Sequence, residues 1–390
     1  QTFSTTPRRA AISPKSKVMA ASLAKRTWVE INPKALFNNL DLCKKIAPDA
    51  EIMAVVKADA YGHGLIETVK TLDAKIDAFG VATLKEAMTI LPIMERCKMV
   101  MILGALLPDE RETAIKNNIN VTVSSLQEAQ EYNDLGRTNN KEVKVHLIVD
   151  TGMGRLGFTE KKFLRDCEEI RSFKNIDIVG MATHFPCSDH NDEFTDHQIE
   201  RFKSLLKSSN IDPKWIHLAN SAASLRIGSS GGTMIRPGLM IYGISPTELN
   251  DPRLQPALEW KARINQIRIL EEGSSISYGR TFVTKKETKV ATIAVGYGDG
   301  YPRSLSGQGA EVIVKGKRCE ILGRVTMDMI MVDVSSIDEP IETGDEVILI
   351  GKDGEESISS TELAKKAGTI PWEILTGISP RVVRVIKNNR

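Results

Sequence analysis

Between Ile52 and Tyr242, short apolar runs alternate with charged, amphipathic segments, and this alternation constrains the fold more than any other feature of the chain. The runs are Ile52–Lys57, Ala78–Thr83, Met99–Gly104, Ile119–Ser124, Val143–Val149, Ile176–Thr183, Trp215–Leu218 and a last one near Met234–Tyr242. Stretches such as LKEAMTILPIMERC and EKKFLRDCEEIRSF lie between them and read as helices. Strands apolar on both faces, alternating with helices, belong in parallel sheets, because the helices cover both faces. Eight strands in roughly 220 residues fit a closed (β/α)8 barrel. An open doubly wound sheet is the alternative, but it usually has fewer strands, and no G-x-G-x-x-G follows the first run.

Beyond Leu258 the texture changes. ARINQIRIL, KVATIAV, AEVIVKG, IMVDVS and DEVILIG are short strand patterns separated by Gly, Pro and Asp turns. One clear helix signal remains, SSTELAKKAG, opened by a Ser/Thr-x-x-Glu cap. The chain therefore reads as an extension over residues 1–26, a barrel over 27–258 and a mainly β domain over 259–390. The segment SPTELNDPRLQPAL, Ser245–Leu258, is the expected linker.

Charge narrows the function. Lys and Arg total 52 against 50 Asp and Glu, a net +2. With few aromatics, that balance gives no case for a nucleic-acid surface. No apolar run reaches membrane-spanning length. The five cysteines, Cys43, Cys97, Cys167, Cys187 and Cys319, are scattered and form no C-x-x-C pair. They suit free thiols in a reducing compartment better than disulfides or a zinc site, and no metal is expected. The first 29 residues carry Arg8, Arg9, Lys15, Lys17, Lys25 and Arg26 but no acid before Glu30. Such a segment is either a disordered extension or an organellar leader, so a cytoplasmic address stands beside an organellar one.

Barrel enzymes carry their chemistry at the carboxyl ends of the strands. Here those ends hold Lys57, Arg155 in DTGMGRLG, His184 in THF, Asn220 and Ser221 in NSA, and Arg236 and Gly238 in IRPG. Singly, each has an ordinary reading: a solvated lysine, a hydrogen-bonded histidine, a turn. Together at one rim they point to a ligand. A lysine amine forms a Schiff base with an aldehyde, and pyridoxal phosphate most often exploits this. Its phosphate needs N–H and hydroxyl donors, and barrels often supply them after strands seven and eight, where Ser221 and Gly238 fall.

The stretch VVKADAYGHG, Val55–Gly64, resembles the cofactor-lysine motif of the alanine racemases, pyridoxal-phosphate enzymes of fold type III. The resemblance continues through DTGMGRLG, MATHF, HLANSAASL, IRPGLMIYG, SYGRTF, VGYGDGYPR and GRVTMDM. It covers nearly the whole chain from Arg26, and implies a barrel joined to a β domain in a homodimer whose two active sites are shared. It implies that Lys57 holds pyridoxal 5′-phosphate as a Schiff base and serves as one catalytic base, with Tyr278 of the partner subunit as the other. Arg236 would face the pyridine nitrogen, and His184 would link Arg236 to Tyr278. Tyr61, Ser221 and the Gly238 backbone would hold the phosphate, with Asn220 beside them and Gly62 and Gly64 letting the turn pass close. Arg155 and the backbone N–H of Met327 would bind the substrate carboxylate, and Tyr297 and Asp189 would line the entrance.

Two positions depart from the family pattern. Many members carry a carbamylated lysine where Ile148 stands, and a pocket tyrosine where Trp372 stands. Arg155 therefore needs another partner or stays less fixed. Alanine is the expected substrate, with serine, lysine or broad amino-acid racemisation as alternatives. A fold-type III decarboxylase and a non-catalytic cofactor carrier are the remaining rivals; Arg236 and Tyr278 speak against the first, and the intact second domain against the second.

Overall fold

The computed structural model describes residues 25–96, 99–246 and 251–387. The bulk of the basic extension, Cys97 and residues 247–250 of the expected linker lie outside them. The barrel strands are β2 (Glu51–Val55), β3 (Ala78–Val81), β4 (Met99–Ile102), β5 (Val121–Val123), β6 (Val143–Ile148), β7 (Ile176–Ala182), β8 (Trp215–His217) and β9 (Met234–Ile235). Pairing is parallel in the orders β4-β3-β2-β9 and β5-β6-β7-β8. Two seams close the ring. Ile102 N–H donates to Asn120 O at 3.0 Å, and Thr233 N–H donates to Ile216 O at 2.8 Å. The strands end earlier than their apolar runs. The last run ends soonest, because Pro237 cannot donate to a ladder and residues 238–242 coil into turns.

Among the described residues, seven right-handed helices follow the strands, and the eighth position is filled from before them. Helix α1 (Pro33–Ile46) starts on an Asn32 side-chain cap with Pro33 in its first turn. It packs against Leu65–Leu72 and Ser221–Ile227, closing the helical ring. Inside the barrel, Met53, Ala78, Met99, Met101 and Met234 form the floor. Above it His146 stacks on Trp215 with ring centroids 5.7 Å apart. Gly180 makes room for that imidazole, since a Cβ there would fall 1.9 Å from His146 Nδ1.

The β domain is organised by one long strand, β10 (Leu258–Leu270), paired antiparallel with strands Thr288–Ile293 and Glu346–Asp353. One assignment from sequence is corrected. Strand β1 (Thr27–Ile31), expected in the barrel, lies in this second sheet, antiparallel to β10 and parallel to the final strand Val383–Ile386. Its Trp28, Val29 and Ile31 are buried there. Arg26, expected in the extension, is also part of the fold: it donates to Ala294 O at 3.1 Å and pairs with Asp299 at 3.2 Å. Among the described residues no helix is long and apolar enough to cross a membrane. Cys43, Cys167, Cys187 and Cys319 are all free thiols.

Candidate active site

A cavity of about 730 Å³ opens at the carboxyl ends of the barrel strands. Lys57, Arg155, His184, Ser221, Arg236 and Trp372 are among its lining residues. Of the residues given a role from sequence, Lys57, Tyr61, Arg155, His184, Asp189, Asn220, Ser221, Arg236 and Gly238 line it.

Lys57 follows β2 after the single residue Val56. Burial lowers its amine pKa below the ordinary lysine value; the Arg155 and Arg236 charges push the same way, and Glu86 pulls in the opposite sense. Tyr61 ends the turn that Lys57 begins. Its ring is buried against Tyr242, with centroids 5.2 Å apart, and burial raises the phenol to about 12, so it stays a donor. Gly238 lies under its hydroxyl: a Cβ there would come within 2.6 Å of Tyr61 Oη. Gly238 N–H donates to Ser221 Oγ at 2.8 Å. Asn220 caps the helix that Ser221 begins, accepting from Ala223 N–H at 3.1 Å and from Ser188 Oγ at 2.9 Å.

Arg236 is the most enclosed of the cations. Nη1 donates to His217 Nδ1 at 2.9 Å and to His217 O; Nη2 donates to Thr183 O at 2.8 Å, with Leu218 O at 3.2 Å and His184 Nδ1 at 3.3 Å. Burial, reinforced by Arg155, brings its pKa down to about 10, so it remains a cation at neutral pH. Its Nε–H meets no acceptor among the described residues and is left for a ligand. Behind it, His217 Nε2 lies 2.9 Å from His146 Nδ1, and His146 Nε2 lies 3.2 Å from Asn120 Oδ1. Sequence reading missed His146, His217 and Asn120. The signal was a polar residue at an inward position of an apolar strand, as in VKVHLI.

The two departures from the family pattern both face the cavity. Ile148 lines it, and no described residue accepts a hydrogen bond from Arg155. Asp150 lines the cavity too, but its carboxylate accepts from Gly152, Met153 and Gly154 N–H at 2.9–3.1 Å and is not paired with Arg155. Trp372, on the short helix Pro371–Thr376 of the β domain, closes another side. Gly62 and Gly64 do not do what sequence suggested. A Cβ on Gly62 would meet Leu375 O at 2.0 Å, and one on Gly64 would meet Glu67 and Arg384. They admit neighbouring chain, not a ligand.

Tyr278 and Met327 stand apart from this cavity, on the β domain, 71% and 53% exposed. Their loops are nonetheless fastened together. Ser277 Oγ donates to Arg324 O at 2.6 Å, and Tyr297 N–H donates to Thr326 O at 3.0 Å. SYGRTF, VGYGDGYPR and GRVTMDM thus meet, and together they expose Tyr278, Tyr297, Met327 and Met329.

The cavity gathers three cations, Lys57, Arg155 and Arg236, and no described carboxylate neutralises them at ion-pair distance. Lys57 Nζ, the Tyr61 hydroxyl and the Arg155 guanidinium have no protein acceptors among the described residues. Such a site takes a ligand with several negative groups, and an amine at a strand tip takes an aldehyde. The residues present fit pyridoxal phosphate. Fold and site are those of a barrel enzyme with a lysine amine among the residues that line its cavity.

Comparison with known proteins names the family. The chain matches the alanine racemase N-terminal domain over residues 31–246 and the alanine racemase C-terminal domain over residues 257–386. An alanine racemase of Halothermothrix orenii is 41% identical, over 95% of this chain and 99% of that protein. Among solved structures, an alanine racemase of Clostridium difficile 630 superposes with a TM-score of 0.87 at 34% identity, covering 93% of this chain and 95% of that one. One from Bartonella henselae with covalently bound pyridoxal phosphate superposes at 0.85 with 27% identity, covering 93% and 99%. The chain belongs to the alanine racemase family, a family of isomerases.

Proposed function

We propose that this chain is a pyridoxal-5′-phosphate-dependent racemase that interconverts L-alanine and D-alanine. The observation that carries the reading is Lys57: a half-buried amine with a lowered pKa, without a protein acceptor, in a cavity where no described carboxylate meets it at ion-pair distance. Bound to a lysine amine, pyridoxal phosphate draws electrons from an amino acid and acidifies its α-C–H.

The protein's part is to hold and to move protons. Tyr61 Oη, Ser221 and the backbone at Gly238 would hold the phosphate, with Asn220 fixing the start of the helix. Arg236 Nε–H would donate to the ring nitrogen and, because an arginine does not give up its proton, would leave that nitrogen unprotonated. An unprotonated ring would be a modest electron sink, which would favour return of the proton over other outcomes. Arg155 and the Met327 backbone N–H orient the substrate carboxylate. Lys57 Nζ takes or returns the α-proton on one face. On the other face the hydroxyl of Tyr278 of the partner subunit does so, with His184 linking it to Arg236 by hydrogen bonds.

A second copy of this chain completes the site. The support is the exposed cluster of Tyr278, Tyr297, Met327 and Met329, which holds the family's remaining motif residues outside the cavity of its own chain. The domains divide near residue 258, with Thr27–Ile31 assigned to the second. The four described thiols, all uncrosslinked, suit a reducing compartment such as the cytoplasm.

The test is incubation of the holoenzyme with single L-amino acids in deuterated water. D-alanine carrying deuterium at the α-carbon is the expected product. Carbon dioxide release would make the protein a decarboxylase, and absence of turnover would make it a carrier. A panel of alanine, serine, lysine and arginine measures what Trp372 and Ile148 admit.

A further inference from the structure

The five residues that begin with Lys57 hold an unusual backbone. Ala58, Asp59, Ala60 and Tyr61 have φ of 53°, 54°, 53° and 52°, a full left-handed turn built without glycine. Isolated left-handed residues are ordinary in loops, but a run of four L-residues is unfavourable at each step and persists only where its surroundings over-determine it. Two side chains do so here, from opposite sides.

Glu86 acts from the barrel. Its Oε1 accepts from Ala58 N–H at 2.8 Å, and its Oε2 accepts from Ala82 N–H at 2.8 Å and Thr83 N–H at 3.2 Å. One carboxylate thus joins the start of the left-handed turn to the end of the neighbouring strand β3. Arg384 acts from the last strand of the β domain. Its Nε donates to Gly62 O at 3.1 Å, and its Nη2 lies 3.4 Å from Asp59 Oδ2. Its remaining donors go to Ser379 O, Val382 O and Ile378 O at 2.7–2.8 Å, fixing the guanidinium within its own domain. Asp59 adds an internal tie, accepting from Leu65 N–H at 2.7 Å. The absent Cβ at Gly62 lets Leu375 O close against the turn, so the β domain reaches it by backbone as well as by side chain.

We propose that Glu86 and Arg384 are positioning residues for Lys57, clamping its left-handed turn between barrel and β domain, so that the second domain sets where the amine reaches. The proposal rests on the reading of Lys57 as the amine that holds the cofactor. It gives the β domain a role towards the lysine of its own chain, separate from presenting Tyr278 to a partner.

The experiment uses the full chain, freed of cofactor. Amide hydrogen exchange across residues 57–64 and the rate of pyridoxal phosphate capture are compared in wild type, R384M, R384K and E86Q. R384M removes every donor; R384K keeps the charge near Asp59 but loses the fork; E86Q keeps only part of the carboxylate's accepting capacity. In R384M, exchange in 57–64 should quicken and capture should slow, each by about ten- to a hundredfold. Exchange in β3 and β6 should be unchanged, with R384K intermediate and E86Q slowed as well. Should R384M fail to fold, R384K and E86Q decide the matter by the same two readouts. Unchanged exchange and capture in the variants, or protection lost equally throughout the barrel, would overturn the proposal. Borohydride trapping of the wild type separates the two readings: a label away from Lys57 refutes the tether, whereas the exchange result judges the clamp by itself.

Discussion

Arg236 Nη1 lies 2.9 Å from His217 Nδ1, and this one contact fixes the tautomers of two buried histidines. A guanidinium only donates, so His217 Nδ1 accepts and its proton sits on Nε2. That proton goes to His146 Nδ1, which places the proton of His146 on Nε2, directed at Asn120 Oδ1. The chain has one donor sense throughout and no charge beyond that of the arginine. Replacing His217 with Phe leaves Nη1 short of an acceptor in a buried setting. Loss of a hydrogen bond to a charged group costs about 1.5–3 kcal/mol, which denaturant unfolding of H217F should show. Visible absorbance of the bound cofactor should shift as well, because Arg236 is then held differently against the ring.

Four of the chain's six histidines, His63, His146, His184 and His217, are held neutral by burial. Folded pKa values are lowered to about 4 for His63 and about 3 for His146 and His184, with His217 also well below its ordinary value. Unfolded, each binds a proton near pH 6.5. Their contribution to stability is therefore fully present above about pH 6.5 and is lost as pH falls below it. Between pH 6.5 and 5, ahead of most carboxylate titration, unfolding should take up protons and the apparent Tm should drop steadily. Proton uptake near zero in that interval would contradict the neutral relay.

Much of this architecture is legible in the sequence. The eight apolar runs announce the barrel because parallel strands are covered on both faces and so lack polar alternation. Two things are not legible. Thr27–Ile31 joins the far sheet through its pairing with β10 and the last strand, and pairing partners leave no mark on local periodicity. His146 and His217 look like isolated polar residues until the barrel closes and brings their rings within hydrogen-bond reach. The glycines after Lys57 mislead for a related reason. A positive φ can be read from a glycine, but the atom that needs the space, here Leu375 O, cannot.

Gly238 offers a test of the phosphate cradle. An alanine there would put Cβ 2.6 Å from Tyr61 Oη, and Tyr61 cannot retreat because its ring is buried against Tyr242. G238A should weaken pyridoxal phosphate binding by about ten- to a hundredfold, a loss of about 1.4–2.7 kcal/mol. Equilibrium titration of the cofactor-free protein measures it.

Tyr278 offers the complementary case. It is exposed within its own chain, so Y278F should change stability by less than about 0.5 kcal/mol. Cofactor absorbance should persist. Racemisation should fall by about 10²–10⁴, the usual range for loss of one acid–base group. Deuterium exchange at the α-carbon in single-turnover experiments should survive from one enantiomer and fail from the other.

The most direct test of the shared site is subunit mixing. K57A and Y278F are each prepared as inactive or nearly inactive protein, then unfolded together and refolded in equal amounts. If Lys57 of one chain works with Tyr278 of the partner subunit, every mixed dimer holds one intact site and one doubly altered site. With about half of the dimers mixed, racemase activity should return to about one quarter of wild type. Activity no greater than that of the two variants alone would mean that each site is built within a single chain, which contradicts an active site shared between two copies.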